Sequence, residues 1–410
     1  MTTFIEGGVT AAKGFQAAGV HCGIRKNRAK KDLGLIVSNR PASAAAVYTR
    51  NLVKGAPLTV TQAHIADGRA RAIVCNSGIA NTCAFDGIEK AEAMCALTAE
   101  ALGIDAADVV VASTGVIGPS IDIAPIAAGL PRLAAALSAQ GSADAAEAIM
   151  TTDTRKKEFA VTFQADGRTC TLGGIAKGSG MIAPNMATML CFLTTDAAIA
   201  PQLLHEALLA VVDDTFNMLS VDGDTSTNDM VVVLANGAAG NTLVTEKNAD
   251  YDAFLEALHA LCTAICRHLA ADGEGATKLL ECRVSGAASV KDARLAAKAV
   301  ANSALLKAAM FGADANWGRV LCAIGYSGAA VDVHAVDVAF ASAAGSIDVC
   351  RNGAGIPVDE DKAKGILSEK EIVIDIRLHD GDAAAVAFGC DLTYEYVKIN
   401  GDYRLSLIHI

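Results

Sequence analysis

Short β-prone runs alternate along this chain with longer Ala/Leu stretches of helical period, and that alternation most constrains the fold. The β-prone runs are Leu35–Ser38, Ala45–Tyr48, Ala72–Cys75, Asp108–Ala112, Met230–Ala235, Glu371–Ile376 and Leu392–Ile399. The helical stretches are Ile88–Leu102, Ile123–Gln140, Pro201–Asp213, Tyr251–Ala270 and Asp292–Met310, and Pro201 suits a first helical turn. Interleaved elements of both kinds predict an α/β or α+β domain. No short repeat or low-complexity linker interrupts the pattern; Gly141–Ala143 and Gly240–Tyr251 are the candidate breaks.

A chain of 410 residues that is 52% apolar and 19% charged has enough apolar surface for a large core, which excludes disorder. Aromatic residues are only 4%, so that core is built mainly from Ala, Val, Leu and Ile. The net charge of −11 argues against a nucleic-acid partner, although a local basic pocket for a small anion is compatible with it. The longest uncharged run, Gly178 to Thr195, contains Pro184, Asn185 and several hydroxyls, and makes a poor membrane span. The first residues have neither the basic nor the apolar stretch of a signal or transit peptide, so the expected location is the cytoplasm. The 12 cysteines form no paired CxxC array and read as free, mostly buried thiols. Cys262, Cys266 and His268 have helical spacing that invites a zinc reading, but core packing of an amphipathic helix is preferred, and no metal is expected.

Five segments can carry chemistry. Lys177-Gly-Ser-Gly opens a loop able to bring backbone N–H groups near an anion, and the chain then runs through Thr188 into an apolar strand. Thr188 is either an ordinary strand former or a nucleophile at a loop–strand junction. A threonine hydroxyl needs a base, and cutting the chain before it would supply its own α-amine. Cys191, the rival nucleophile, lies inside the apolar run and reads as core. The turn Ser113-Thr-Gly-Val-Ile-Gly118 follows a strand; it is either a plain turn or an oxyanion hole. Val221–Asp229 gathers carboxylates, hydroxyls and an amide without the order of a calcium loop, and reads as a hydrogen-bonded turn bordering a pocket. In Asp272-Gly-Glu274-Gly, Glu274 either sits in a solvated turn or presents a carboxylate to a cation. Trp317 beside Arg319 suits structural stacking or carboxylate binding. GxSxG, HExxH, GxGxxG and P-loop patterns are absent from the sequence.

Read together, Gly7–Phe15, Asn76-Ser-Gly78, Ser113–Gly118, Met150–Thr154, Lys177-Gly-Ser-Gly-Met-Ile-Ala-Pro-Asn-Met-Ala-Thr188, Asp222–Asp229, Asn316–Arg319 and Tyr396–Asn400 resemble the ordered motifs of the glutamate N-acetyltransferase/ornithine acetyltransferase family of arginine biosynthesis. That resemblance implies an α/β fold, an α+β sandwich also seen in related self-cleaving aminopeptidases. It implies a precursor that cuts itself between Ala187 and Thr188 into chains 1–187 and 188–410, assembled as an α2β2 heterotetramer. It further implies that Thr188 carries the acetyl group from N2-acetylornithine to glutamate in a ping-pong exchange, and that Thr114 and Gly115 stabilise the oxyanion. Thr151, Lys177, Thr188, Glu274 and Asn400 match substrate-binding positions, Thr151 being hard to tell from its neighbour Thr152. No cofactor is implied; acetyl-CoA is an alternative acetyl donor on which the residues are silent. The family usually ends with a substrate-touching Thr where Leu405 stands here, so that contact is expected to be lost. The apolar tail Leu405–Ile410 is expected to be foreign to the native frame, which resequencing decides. The rival readings are a self-cleaving N-terminal-threonine aminopeptidase or amidase, and an uncut, inactive relative.

Overall fold

The computed structural model describes residues 2–183 and 189–401. They form a mixed α/β structure with two sheets, nine- and six-stranded. The first sheet runs, in spatial order, through Thr3–Ile5, Lys157–Ala165, Arg168–Lys177, Leu190–Thr195, Met230–Ala235, Leu33–Tyr48, Arg69–Ile79 and Val109–Val116, with Phe15–Val20 added on Leu33–Tyr48. Its strands therefore come from both sides of the Ala187–Thr188 bond. Met230–Ala235 is buried at every residue, as a strand covered on both faces must be.

One face of this sheet packs on helices Pro201–Asp214 and Ala249–Ala271 through Leu204, Leu208, Phe254, Leu261 and Ile265. The opposite face packs on Ala145, Ala146 and Ile149 of the short helix Ser142–Ile149. The second sheet orders Ala354–Gly355, Gly345–Arg351, Asp337–Ser342, Glu371–Arg377, Leu279–Ala287 and Ala383–Cys390, with helices Val290–Asn302, Ala304–Phe311 and Trp317–Gly325 on its apolar face. No helix among the described residues is long and apolar enough to cross a membrane.

Several expectations hold with shifted ends. Leu35–Ser38 and Ala45–Tyr48 are parts of one strand, Leu33–Tyr48, with a register shift between Val37 and Ala42. The stretch Ile123–Gln140 is helical only over Ile123–Ala135. Asp292–Met310 is two helices, because Ser303 leaves helical geometry and its hydroxyl caps the second by accepting from the Leu306 N–H. At Gly141–Ala143, Gly141 is the N-cap of the helix Ser142–Ile149. Leu392–Ile399 is a correction. It reads as a strand, yet Tyr394–Gly401 is a helix. Its polar side chains four apart, Tyr396 and Asn400, both find partners on other segments, and those contacts override strand propensity. Cys262 and Cys266 are fully buried on the core face of their helix, and burial pushes both thiols up.

Candidate active site

The helix Ala249–Ala271 sets one side of the site. Asn248 caps it by accepting from the Asp250 and Tyr251 N–H groups, and its apolar face locks it onto the sheet. It ends at Asp272, so Asp272 and Glu274 emerge at a fixed place. Asp272 and Asp153 are both buried, and between them lies the fully buried Lys157, whose ammonium is 2.6 Å from a carboxylate oxygen of each. Asp153 also accepts from the Gly178 N–H at 2.7 Å and the Thr151 N–H at 3.0 Å. Asp272 accepts from the N–H and the hydroxyl of Thr154. Burial alone would raise the Asp153 carboxyl, but Lys157 and Lys177 outweigh it and hold the group down at about 2. This ion triad ties together the segments that bear Thr151, Lys177 and Glu274.

Glu274 is buried and rests against Gly180; a Cβ there would lie well inside contact distance of its carboxylate. The Glu274 N–H donates to the Ser179 carbonyl at 2.9 Å, and the Asn400 amide donates to Glu274 Oε2 at 2.7 Å. The Met181 and Ile182 N–H groups donate to the Asp222 carboxylate at 2.6 and 2.8 Å, and the Tyr396 hydroxyl reaches it at 3.3 Å. Burial and that carboxylate push the Tyr396 hydroxyl up, so it stays protonated.

On the opposite side, the parallel strands Arg69–Ile79 and Val109–Val116 pair Ser77 with Thr114 and Gly78 with Gly115. Gly78 and Gly115 have φ of 109° and 133°, and a Cβ on Gly115 would collide with the Gly78 backbone. Asn228 grips both strand ends: its amide donates to the Ala80 carbonyl at 2.6 Å and the Ser113 carbonyl at 3.0 Å. Its oxygen accepts from the hydroxyls of Thr82 and Thr227 at 2.5 and 2.6 Å.

These walls enclose a cavity of about 380 Å³ lined by Thr114, Gly115, Thr151, Thr152, Lys177, Gly180, Glu274 and Asn400, together with Ser226, Thr227 and Asn228. Thr114, Gly115, Thr151, Lys177, Glu274 and Asn400, which the resemblance nominates, are thus brought to one cavity, and Thr152 lines it as Thr151 does. Ala187 and Thr188 lie outside the described residues, as does the tail Leu405–Ile410. Cys191 is buried in the core, where burial pushes its thiol well up. Trp317 and Arg319 are elsewhere: Trp317 packs against Gly355, and Arg319 donates to the Leu305 carbonyl. Sequence reasoning missed Asn228, Thr82, Asp153 and Lys157. The only signal was the cluster of polar residues in Asp222–Asp229 and Met150–Thr154, which does not say which member is buried.

The fold and the cavity, with a cation and a carboxylate recessed beside a glycine-bearing strand end, define an α/β enzyme acting on a small molecule. Comparison with known proteins narrows the class. The ArgJ family model matches residues 16–405. The arginine biosynthesis bifunctional protein ArgJ of Symbiobacterium thermophilum is 53% identical over 403 residues, covering 98% of this chain and 99% of its own. That of Caldanaerobacter subterraneus subsp. tengcongensis is 49% identical over 401 residues, with shares of 98% and 99%. Among solved structures, ArgJ from Bacillus halodurans is 45% identical over 52% of this chain and 98% of its own, with a TM-score of 0.49. The ornithine acetyltransferase of Mycobacterium tuberculosis, solved with ornithine, is 40% identical over 46% of this chain and 100% of its own, with a TM-score of 0.43. The chain belongs to the ArgJ family. It is therefore an acetyltransferase of arginine biosynthesis, in line with the resemblance read from its motifs.

Proposed function

We propose that this enzyme moves the acetyl group of N2-acetylornithine to glutamate through an acetyl ester on Thr188, after self-cleavage between Ala187 and Thr188. The supporting observation is the single cavity that gathers Lys177, Glu274, Thr114 and Gly115. Lys177 suits the substrate carboxylate and Glu274 the side-chain ammonium of ornithine, each through a charge-assisted hydrogen bond. The Thr188 hydroxyl attacks the acetyl carbonyl while its α-amine takes the hydroxyl proton. Thr114 and Gly115 stabilise the oxyanion. As that intermediate collapses, the C–N bond breaks, the proton passes to the departing α-amine, and ornithine leaves. The α-amine of glutamate then attacks the ester, releasing N-acetylglutamate and restoring the threonine.

No resident cofactor is needed; acetyl-CoA would serve only as a second acetyl donor. The products 1–187 and 188–410 remain together and form an α2β2 heterotetramer in the cytoplasm. Thr151 and Asn400 complete the substrate contacts. The test is intact mass and N-terminal sequencing, followed by acetyl-transfer assays with N2-acetylornithine and glutamate. Two fragments, the second beginning Thr188-Met-Leu-Cys, with transfer to glutamate faster than to water, are expected. An uncut chain, or release of acetate alone, sinks the proposal.

A further inference from the structure

We propose that Asn228 is a positioning residue for acetyl transfer: its carboxamide fixes the strand end that carries the oxyanion groups of Thr114 and Gly115. This rests on the acetyl-transfer reading above and extends it to a residue that touches no reacting atom. A primary carboxamide offers two N–H donors and an acceptor oxygen. Both Asn228 donors are spent on backbone carbonyls, Ala80 and Ser113, and its oxygen takes the Thr82 and Thr227 hydroxyls. Asn228 is 6% exposed, and a Cβ on Gly55 would stand 2.6 Å from its amide nitrogen, so it has no room to turn. It therefore acts as a clamp rather than as a free group reaching for a ligand.

What it clamps matters for the chemistry. Ala80 and Ser113 flank the glycine contact between Gly78 and Gly115, where neither strand has a side chain to hold the other in place. Val111 turns both its N–H and its carbonyl to the Thr61 hydroxyl, away from the partner strand. Alternation along a strand gives Ser113 and Gly115 the same edge as Val111. The Ser113 carbonyl held by Asn228 and the Gly115 N–H thus emerge side by side, with the Thr114 side chain between them. Two further bonds, Ala80 N–H to Val116 and Gly118 N–H to Thr82, both at 2.9 Å, close the loop around the same point. Releasing the Ser113 carbonyl would free that peptide to rotate and misplace donors that must meet the oxyanion at hydrogen-bond distance.

The test is Asn228→Asp, which keeps the shape and sets an acceptor against two carbonyls. Wild type is assayed in parallel for acetyl transfer. A kcat lower by about a hundredfold, with KM for N2-acetylornithine little changed, is expected if oxyanion donors are misplaced. The variant-to-wild-type kcat ratio should rise as pH falls, because a protonated carboxyl again donates one bond. A kcat equal to wild type, or a loss confined to KM, overturns the proposal. Should the Asp variant fail to fold or cut, Thr82→Val decides. Removing one bond to Asn228 should then lower kcat about tenfold at constant KM, and an unaffected kcat overturns the proposal. Absence of transfer by wild type would instead sink the acetyl-transfer reading.

Discussion

Gly180 shows how a residue without a side chain can set the shape of a pocket. Only the missing Cβ leaves room for the Glu274 carboxylate. Gly180→Ala should push Glu274 out of place and raise KM for N2-acetylornithine about tenfold or more, in keeping with a charged hydrogen bond of roughly 1.5–3 kcal/mol. Steady-state kinetics read this directly, and an unchanged KM would remove Glu274 from substrate recognition. Spacing alone left Lys177 and Glu274 open between loop and site; the resemblance to the family's motifs nominated them, and the fold brings both to one cavity. Asn228, Asp153 and Lys157 were not legible in the sequence. Sequence spacing gives no sign of which polar residues will be buried together by segments more than a hundred positions apart, as with Lys157 and Asp272.

Among the elements, the ion triad joins the loop before strand Lys157–Ala165 to the end of helix Ala249–Ala271. Lys157→Met leaves two buried carboxylates facing each other without a cation. The expected cost is about 3–5 kcal/mol, read as a lower urea midpoint. The Asp153 carboxyl, held at about 2 against an ordinary 3.8, carries a pH signature. A carboxylate depressed in the fold contributes stability that is whole above the unfolded value and lost as pH falls from there toward about 2. Urea unfolding from pH 5 down to pH 2 should show this slope, and Asp153→Asn should flatten it. The helix Tyr394–Gly401 behaves oppositely, since none of its residues is fully buried. Asn400→Ala, at an exposed position of this helix, should change Tm by only a few degrees, as surface substitutions do. It should also weaken substrate binding, because Asn400 is gone. A large Tm drop would refute that separation. The sequence suggested a strand here because Thr393, Tyr394, Tyr396, Val397 and Ile399 are strand formers; only partners elsewhere in the fold, Asp222 and Glu274, show why it coils.

At the scale of the molecule, the α/β class followed from alternating periodicity, but strand order did not. Pairings such as Leu33–Tyr48 with Met230–Ala235 join residues nearly two hundred positions apart, and no local pattern encodes them. Strand Arg168–Lys177 lies beside Leu190–Thr195, pairing Lys177 with Leu190, and Leu33–Tyr48 lies beside Met230–Ala235. For a chain cut as proposed, both contacts join the two products across shared β-ladders. They should therefore co-elute on gel filtration and unfold in one transition; separation without denaturant would contradict this. Under the proposed cleavage, the interlacing also sets an order of events in biogenesis. Made as two separate polypeptides, each product would expose long, apolar strand edges that invite aggregation. For a chain cut as proposed, a single translation product brings partner strands together, and the cut would have to wait until they have met.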